Sequence, residues 1–336
     1  MTIFKTNSII AMAVAAVAAT TIACNPNPKV GQSANSSSAT AGVTVMACDE
    51  TFQRIMEQEI QVYEYQYPNA SILSRYLPEQ ACIDSLLHTN NTKLAVTSRP
   101  LNAAEMRFLE LHKRQPRSKM IAVDAIALIA NKDNPINEIS TADLGKILAG
   151  EIKEWKWVEP GNKSGKIDII FDYSGSSTVR YMSDSIMEGR KFGNNVYAQN
   201  SNSKVVQTVA ERKGALGVIG VSWISSDMKN VEMTTEELSE ASQKSDTTNL
   251  SFTSDVKVLA VTGKGQFPGE GKKPYQAYIY DGSYPLYRPI YLTVTGYRNA
   301  VQSGFFTFVT GFAGQKLIQL TGVLPAAMQP RIVNVD

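Results

Sequence analysis

The sequence predicts an α/β fold built on a largely parallel sheet. From Val43 onward, short runs of β-branched residues alternate with amphipathic helical patterns. The first of these patterns, at 52–67, places its apolar residues on one face of a four-turn helix. A hydrophobic content of 43% in 336 residues is also enough to fill a sizeable core. We therefore expect one large or two smaller globular domains.

The predicted elements follow one another in the order expected for this class. We predict strands at 43–47, 71–77, 94–97, 166–171, 215–224, 255–261 and 289–294. We predict helices at 52–67, 80–88, 102–113, 140–149, 176–187, 203–212 and 305–320, and a solvated helix and loop within 229–250. Asn102 is followed three residues later by Glu105, which is the pattern of a capping box.

The nearly all-apolar run 120–130 divides the chain. It is longer than a typical strand and carries Asp124 in its middle. It predicts either two strands or one strand that crosses between two lobes. We assign residues 43–122 and 251–336 to lobe one and residues 123–250 to lobe two.

The N-terminus has the features of an export signal. Lys5 precedes an apolar run at 9–19 that is too short to span a bilayer. The run ends in Thr21-Ile22-Ala23-Cys24, which resembles a bacterial lipobox. We predict a signal peptide at 1–23, a lipidated Cys24 and a flexible tether at 24–42, with ordinary signal cleavage as the alternative. The mature protein would be periplasmic and anchored to a membrane through its lipid.

The composition argues against several functional classes. The formal net charge is only +2, which does not suit a nucleic-acid-binding protein. Three cysteines and two histidines are too few for a disulfide scaffold or a Cys-rich zinc site, so we expect neither a metal nor a cofactor. Cys48 and Cys82 could form a disulfide, but free buried thiols are the favoured state. Catalysis that needs a histidine base would depend on His88 or His112.

Two strand-to-helix turns point to an anion site. The first is at 48–52 and the second at 171–178, and both are rich in hydroxyl or acidic side chains. Such turns present unpaired N–H groups at the carboxyl ends of strands, where ligands of open α/β sheets bind. The alternative is that Thr51 and Ser176 are simple N-caps.

Seven stretches of the chain, in order, resemble the PstS-type phosphate-binding proteins of bacterial ABC transporters, in the type II periplasmic binding protein superfamily. They are Asp49-Glu50-Thr51-Phe52, Thr97-Ser98-Arg99-Pro100-Leu101, residues 121–131, Ser174-Gly175-Ser176-Ser177-Thr178, residues 214–220, Tyr284-Pro285-Leu286-Tyr287-Arg288 and Gly314-Gln315-Lys316. The resemblance covers about residues 43–331.

This resemblance implies a fold, a function and a set of site residues. The fold has two α/β lobes, each a mostly parallel sheet flanked by helices, joined by a hinge of crossing strands. The protein would capture inorganic phosphate between the lobes, deliver it to an ABC permease and ATPase, and act as a monomer without enzymatic activity. Thr51 and Phe52 of lobe one and Ser176, Ser177 and Thr178 of lobe two would bind the anion.

The sequence departs from the family's pattern at three positions. Arg99 stands where the family usually has an Asp, Asp172 where it usually has an Arg, and Ser177 where it usually has a Gly. Arg99 and Asp172 have either exchanged roles at the site, or the site has changed to another oxyanion. A third interpretation makes them a surface ion pair of little energetic value. Arg180, two residues after the turn, is a further candidate phosphate ligand.

Three alternative functions stay open at this stage. The first is a receptor for another small oxyanion. The second is a serine hydrolase that uses the Ser174–Ser176 turn and takes its base from a histidine or a lysine. The third is an adhesion or signalling module that has kept the fold and lost the ligand.

Overall fold

The computed structural model describes residues 38–227, 233–244 and 250–327. Within these ranges the chain forms a mixed α/β arrangement of the predicted kind. The predicted signal peptide, Cys24 and most of the predicted tether lie outside the described residues. The last two residues of the predicted tether, 41 and 42, instead begin the first strand.

The described strands and helices alternate along most of the chain. The strands are β1 Ala41–Asp49, β2 Asn69–Leu77, β3 Thr92–Thr97, β4 Arg117–Ala130, β5 Glu138–Ser140, β6 Asp168–Phe171, β7 Val196–Ala198, β8 Ala215–Gly220, β9 Ser225–Asp227, β10 Leu250–Phe252, β11 Lys257–Val258, β12 Ala260–Thr262, β13 Tyr287–Val294 and β14 Leu324–Pro325. The helices are α1 Gln53–Gln66, α2 Glu79–His88, α3 Ala103–Leu111, α4 Thr141–Leu148, α5 Ser177–Tyr181, α6 Asn202–Glu211, α7 Thr235–Gln243, α8 Gln276–Tyr280, α9 Val301–Thr310 and α10 Phe312–Leu320.

One large sheet runs through the described part of the molecule. Its strand order is β2-β1-β3-β13-β4-β8-β6-β7, and β11 and β14 also pair with β4. The pairs at both ends of this order, β1 with β2 and β3, and β6 with β7 and β8, are parallel. The carboxyl ends of β1 and β6, where each strand leads into a helix, are therefore the places to look for a ligand site.

The long apolar run forms one strand, β4, that serves both halves of the sheet. Its residues up to Ala125 pair with β13, and its residues from Ile126 pair with β8, in both cases antiparallel. The segment 121–130 is buried almost throughout, with Val123 partly exposed. A strand covered on both faces explains why this run reads as continuously hydrophobic and not as an alternating pattern.

Some predicted elements have different bounds. The predicted helix 305–320 is two helices, because the backbone at Gly311 is extended where it ends α9 and begins α10. The predicted strand 215–224 ends at Gly220 and continues as a 3₁₀ turn. The predicted helix 176–187 starts as α5 and continues as a π-helix at Met182–Ile186.

The lobe boundaries drawn from the sequence stay a prediction. Strand β12 lies in the range assigned to lobe one, but it pairs in parallel with β5, which lies in the range assigned to lobe two. Helix α7 lies in the range assigned to lobe two, but its Leu238 packs against Val62 of α1 and Leu317 of α10, which lie in the ranges assigned to lobe one. Sequence position alone therefore does not tell which half each of these two elements joins.

Candidate functional site

The first turn follows the end of β1. Asp49 caps a 3₁₀ turn over Glu50–Phe52, and its carboxylate Oδ1 accepts a hydrogen bond from the Thr51 N–H at 2.9 Å. Trp223, just beyond β8, donates from Nε1 to the Thr51 carbonyl at 2.8 Å. These two contacts hold the backbone of Thr51 and place its hydroxyl beside the second turn.

The second turn follows the end of β6. Ser176 is the N-cap of α5, with its side chain accepting from the N–H of Val179. Asp172 lies at the start of this turn and is fully buried. The alternative interpretation, in which Thr51 and Ser176 are simple N-caps, holds for Ser176 but not for Thr51, because Asp49 is the N-cap of the first turn. The Ser176 cap is one part of a larger arrangement.

Asp172 is the acceptor for three hydroxyl groups. Its Oδ1 accepts from Ser176 Oγ at 2.7 Å, and its Oδ2 accepts from Thr51 Oγ1 at 3.2 Å and from Thr178 Oγ1 at 3.3 Å. Thr51 comes from the first turn, and the other two come from the second. The structure thus brings four of the predicted site residues into one hydrogen-bonded group.

A second buried carboxylate also joins the two turns, but it belongs to the first turn and accepts from the second. Asp49 Oδ2, from the first turn, accepts from the backbone N–H of Ser177 in the second turn at 3.3 Å. Because the same side chain also caps its own turn, each turn contributes a carboxylate that accepts hydrogen bonds from both.

A buried arginine completes the group. Arg288 on β13 donates from Nη1 to Ser177 Oγ at 2.9 Å, and from Nη2 and Nε to Asp124 Oδ2 at 3.0 and 3.2 Å. Its guanidinium carbon lies 5.0 Å from the ring centre of Phe52, which is the geometry of a cation–π contact. We call these residues the buried polar cluster; they are Asp49, Thr51, Phe52, Asp124, Asp172, Ser176, Ser177, Thr178 and Arg288.

Gly220 at the end of β8 allows two members of the cluster to approach closely. A Cβ at this position would lie 3.1 Å from Asp124 Oδ2 and 3.4 Å from Thr51 Cγ2. A larger residue would therefore require the Asp124 carboxylate to shift by a few tenths of an ångström, whereas the distance to Thr51 is an ordinary contact.

The cluster holds more acid than base. Burial raises the pKa of Asp49, Asp124 and Asp172, and the nearby Arg288 counteracts this effect at each of them. Partly exposed Glu50 lies close by, and burial together with repulsion from Asp49 and Asp172 raises its pKa to about 7. Burial therefore acts against the charged form of these carboxyl groups, whereas Arg288 favours it at the three aspartates.

Arg99 and Arg180 belong to other ion pairs. Arg99 donates from both terminal nitrogens to Glu105, at 2.9 and 2.8 Å. Arg180 binds the buried carboxylate of Glu79 and donates from Nη2 to Ser98 Oγ at 2.6 Å. Burial acts to raise the pKa of Glu79, but hydrogen bonds and the charge of Arg180 hold it below its ordinary value.

The sequence-based choice of Arg99 as the site's cation stays a prediction, and the structure places a different guanidinium in the cluster. Asp172 lies at the centre of the cluster, whereas the guanidinium beside it belongs to Arg288. Arg99 pairs with a residue near it in the chain, because Glu105 lies only six residues further on, in the capping box that begins α3. An exchange of roles between Arg99 and Asp172 is thus not seen in the geometry.

Sequence reasoning missed the roles of Asp124 and Arg288. A usable signal was present: Asp124 lies within the apolar run 120–130, and Arg288 directly precedes the predicted strand 289–294. Charged residues are seldom fully buried unless they are paired.

The other chemically active candidates lie in different surroundings. His88 and His112 both pack against Phe108, with ring centres 5.0 and 4.2 Å apart. Cys48 and Cys82 are free and buried, as predicted. Ser176 Oγ donates to the Asp172 carboxylate and accepts from the Val179 N–H, which are the contacts of a helix cap.

Comparison with known proteins places the chain in a family. A family model described as the PBP superfamily domain matches residues 33–312. The chain belongs to the PBP superfamily. Its predicted fold class, the two-lobed type II periplasmic-binding-protein fold, is confirmed.

Two relatives of this PBP superfamily chain are named as phosphate-binding proteins. The phosphate-binding protein PstS of Staphylococcus haemolyticus is 25% identical over 245 residues, which are 73% of this chain and 68% of that protein. The PstS of Pseudomonas aeruginosa is 22% identical over 291 residues, 82% of this chain and 80% of that protein.

Solved structures share the fold. A Clostridium perfringens phosphate transporter substrate-binding protein with bound phosphate aligns with a TM-score of 0.64 at 18% identity, covering 85% of this chain and all of the other. An ABC-type phosphate transport receptor from Vibrio cholerae has a TM-score of 0.58 at 21% identity, covering 84% and 99% of the two chains. Within the described residues of this PBP superfamily chain, no helix is long and apolar enough to cross a membrane.

Proposed function

We propose that this protein is an extracytoplasmic binding protein that captures inorganic phosphate and delivers it to an ABC permease and ATPase. The observation that carries the proposal is the meeting of hydroxyls from two strand-end turns, Thr51 from one and Ser176 and Thr178 from the other. Relatives and structural neighbours with this fold are phosphate-binding transport receptors, and these are not enzymes.

The proposed ligand position lies between the two turns. Thr51, Ser176, Ser177 and Thr178 supply hydroxyl and backbone donors, Phe52 covers the guanidinium of Arg288, and Asp172 faces the same donors. Hydrogen bonds from such groups to an oxyanion are of the charge-assisted kind, which are roughly twice as strong as neutral ones. Arg99 is not one of the proposed phosphate ligands, because its guanidinium donates to Glu105.

We also propose that the protein is held at a membrane and acts as a monomer with two lobes. The anchor would be a lipid on Cys24, with the residues between Cys24 and β1 as the tether, on the strength of the export signal in the sequence. The proposed hinge includes β4, which pairs with β13 along one part of its length and with β8 along the other.

A panel of oxyanions tests the function. Thermal unfolding is followed with phosphate, sulfate, molybdate or nitrate, since a ligand that binds only the native state raises the melting temperature. We expect phosphate to give the largest increase, and calorimetry then gives its affinity. A larger increase with another anion would assign the protein to that anion. The absence of any increase, for the wild type and for the Asp172 variants described below, would overturn the function.

A further inference from the structure

The hydroxyls of the proposed anion site already have an anionic partner from the chain itself. A hydroxyl has one proton to donate, and those of Thr51, Ser176 and Thr178 all go to the carboxylate of Asp172. All three hydroxyl residues are buried. An arriving oxyanion therefore meets the acceptor side of these hydroxyls unless Asp172 gives them up.

The backbone donor of the second turn is also occupied. The N–H of Ser177 donates to Asp49, which lies 128 positions earlier in the chain. Thr51 and Asp172, 121 positions apart, make the reciprocal contact. Two carboxylates of the chain thus join the first turn to the second.

The charge of the cluster opposes a further anion. Its one guanidinium, that of Arg288, is shared by Asp124 and Ser177. Asp49, Asp124 and Asp172 are all fully buried around it. Adding an oxyanion to this arrangement brings another negative charge next to buried carboxylates, where repulsion is much stronger than in water.

We propose that Asp172, together with Asp49, is an internal ligand of the binding site. Its carboxylate occupies the oxyanion position and keeps the two turns together in the free protein. Phosphate binds only by exchange, because it must take the hydroxyls from Asp172. This inference rests on the proposed function for the identity of the anion, and it makes Asp172 the residue that limits affinity.

The exchange has a specific energetic consequence. In the wild type, each hydroxyl bond to phosphate replaces a bond of similar kind to a carboxylate, so the hydroxyls add little net affinity. Once Asp172 is removed, the same hydroxyls have no anionic partner in the free protein. Their bonds to phosphate then contribute in full.

Two variants of Asp172 test the proposal. Asp172→Ala empties the position, and Asp172→Asn keeps its shape without the charge. We expect both to bind phosphate about tenfold or more tightly than the wild type in calorimetry. The matched control is Asp168→Ala, which removes a partly exposed carboxylate from β6, the strand that precedes Asp172, and should leave the affinity unchanged.

The outcomes separate the inference from the function. If the wild type binds phosphate and both variants bind it with equal or lower affinity, the internal-ligand proposal is overturned and the proposed function is retained. No binding by the wild type or by either variant would overturn both. Far-UV circular dichroism and thermal unfolding establish whether each variant is folded. If Asp172→Ala does not fold, Asp172→Asn alone is used for the comparison.

A second measurement does not depend on phosphate affinity. Small-angle scattering without ligand should show a larger radius of gyration for Asp172→Ala than for the wild type, because the Thr51–Asp172 contact is lost. Phosphate should restore the smaller value. Equal radii for variant and wild type in the absence of ligand would contradict the part of the proposal that has Asp172 holding the turns together.

Discussion

Arg288 and Asp124 form an ion pair that is buried between neighbouring strands. They are register partners on β13 and β4, and the guanidinium donates twice to Asp124 Oδ2 at 3.0 and 3.2 Å. The side chains are only 2% and 1% exposed. The pair lies at the place where β4 changes its partner from β13 to β8, so it connects the sheet to the buried polar cluster.

Arg288→Ala should strongly destabilise the protein. Removing one partner of a buried pair leaves an uncompensated buried charge, which costs about 3–5 kcal/mol. Urea unfolding near neutral pH measures the free energy of unfolding. The loss should shrink as the pH falls, since a protonated Asp124 carries no charge.

The matched control for this prediction is Arg212→Ala. Arg212 pairs with Asp168 at 3.9 Å and is 61% exposed, so its loss should cost less than about 1 kcal/mol. Equal losses for the two variants would contradict the energetic role of the buried pair.

Arg99→Ala should have little effect on phosphate binding. Its guanidinium donates to Glu105 at the start of α3, and we expect the affinity to stay within about twofold of the parent protein. Calorimetry measures this in the wild type and in the Asp172→Ala background. A loss of about tenfold or more would restore Arg99 as the cationic ligand that the sequence suggested.

The stability of the protein should increase when the pH is lowered from about 8 to about 5. Burial raises the pKa of Asp49, Asp124, Asp172 and Glu50, so the folded state binds protons more tightly than the unfolded state. Such groups stabilise the protein below their unfolded pKa, and this stability is lost as the pH rises through their folded pKa. At more acidic pH the trend reverses, because the pKa values of Glu79 and Glu105 are lowered by their arginine partners.

Glu50→Gln isolates one contribution to this pH dependence. The pKa of Glu50 is about 7 instead of 4.5, so its effect falls between about pH 4.5 and pH 7. The melting temperature of the variant should vary less with pH over this window. Glu110→Gln, which changes an exposed residue on α3, should show the wild-type slope. Identical slopes for wild type and Glu50→Gln would refute the prediction.

Cys24→Ala should release the protein from membranes. Each buried methylene of an acyl chain contributes about 0.8 kcal/mol to membrane binding, and the tether offers no apolar stretch to replace it. Fractionation of cells that express the wild type or the variant measures this directly. Ser36→Ala, a substitution within the tether, is the control and should keep the membrane association. A variant that stays on the membrane would mean that the anchor lies elsewhere.

The sequence by itself determined the local features of this protein. The alternation of β-branched runs with helical periodicity predicted the α/β class, and the capping box of Asn102 and Glu105 was visible from spacing. The N-cap at Ser176 and the two strand-end turns were predicted in the same way. These features could be predicted because they depend on residues within a few positions of one another.

Tertiary structure decided which of these residues meet. Arg288 reaches Asp124 across 164 positions because β13 and β4 are neighbours in one register. Thr51 reaches Asp172 only when the carboxyl ends of β1 and β6 face each other. Arg99 looked like a site residue in the sequence, yet it pairs with Glu105 six positions away. Sequence patterns report local periodicity and caps, whereas the partners of buried charges depend on strand order and register, which arise only when the sheet assembles.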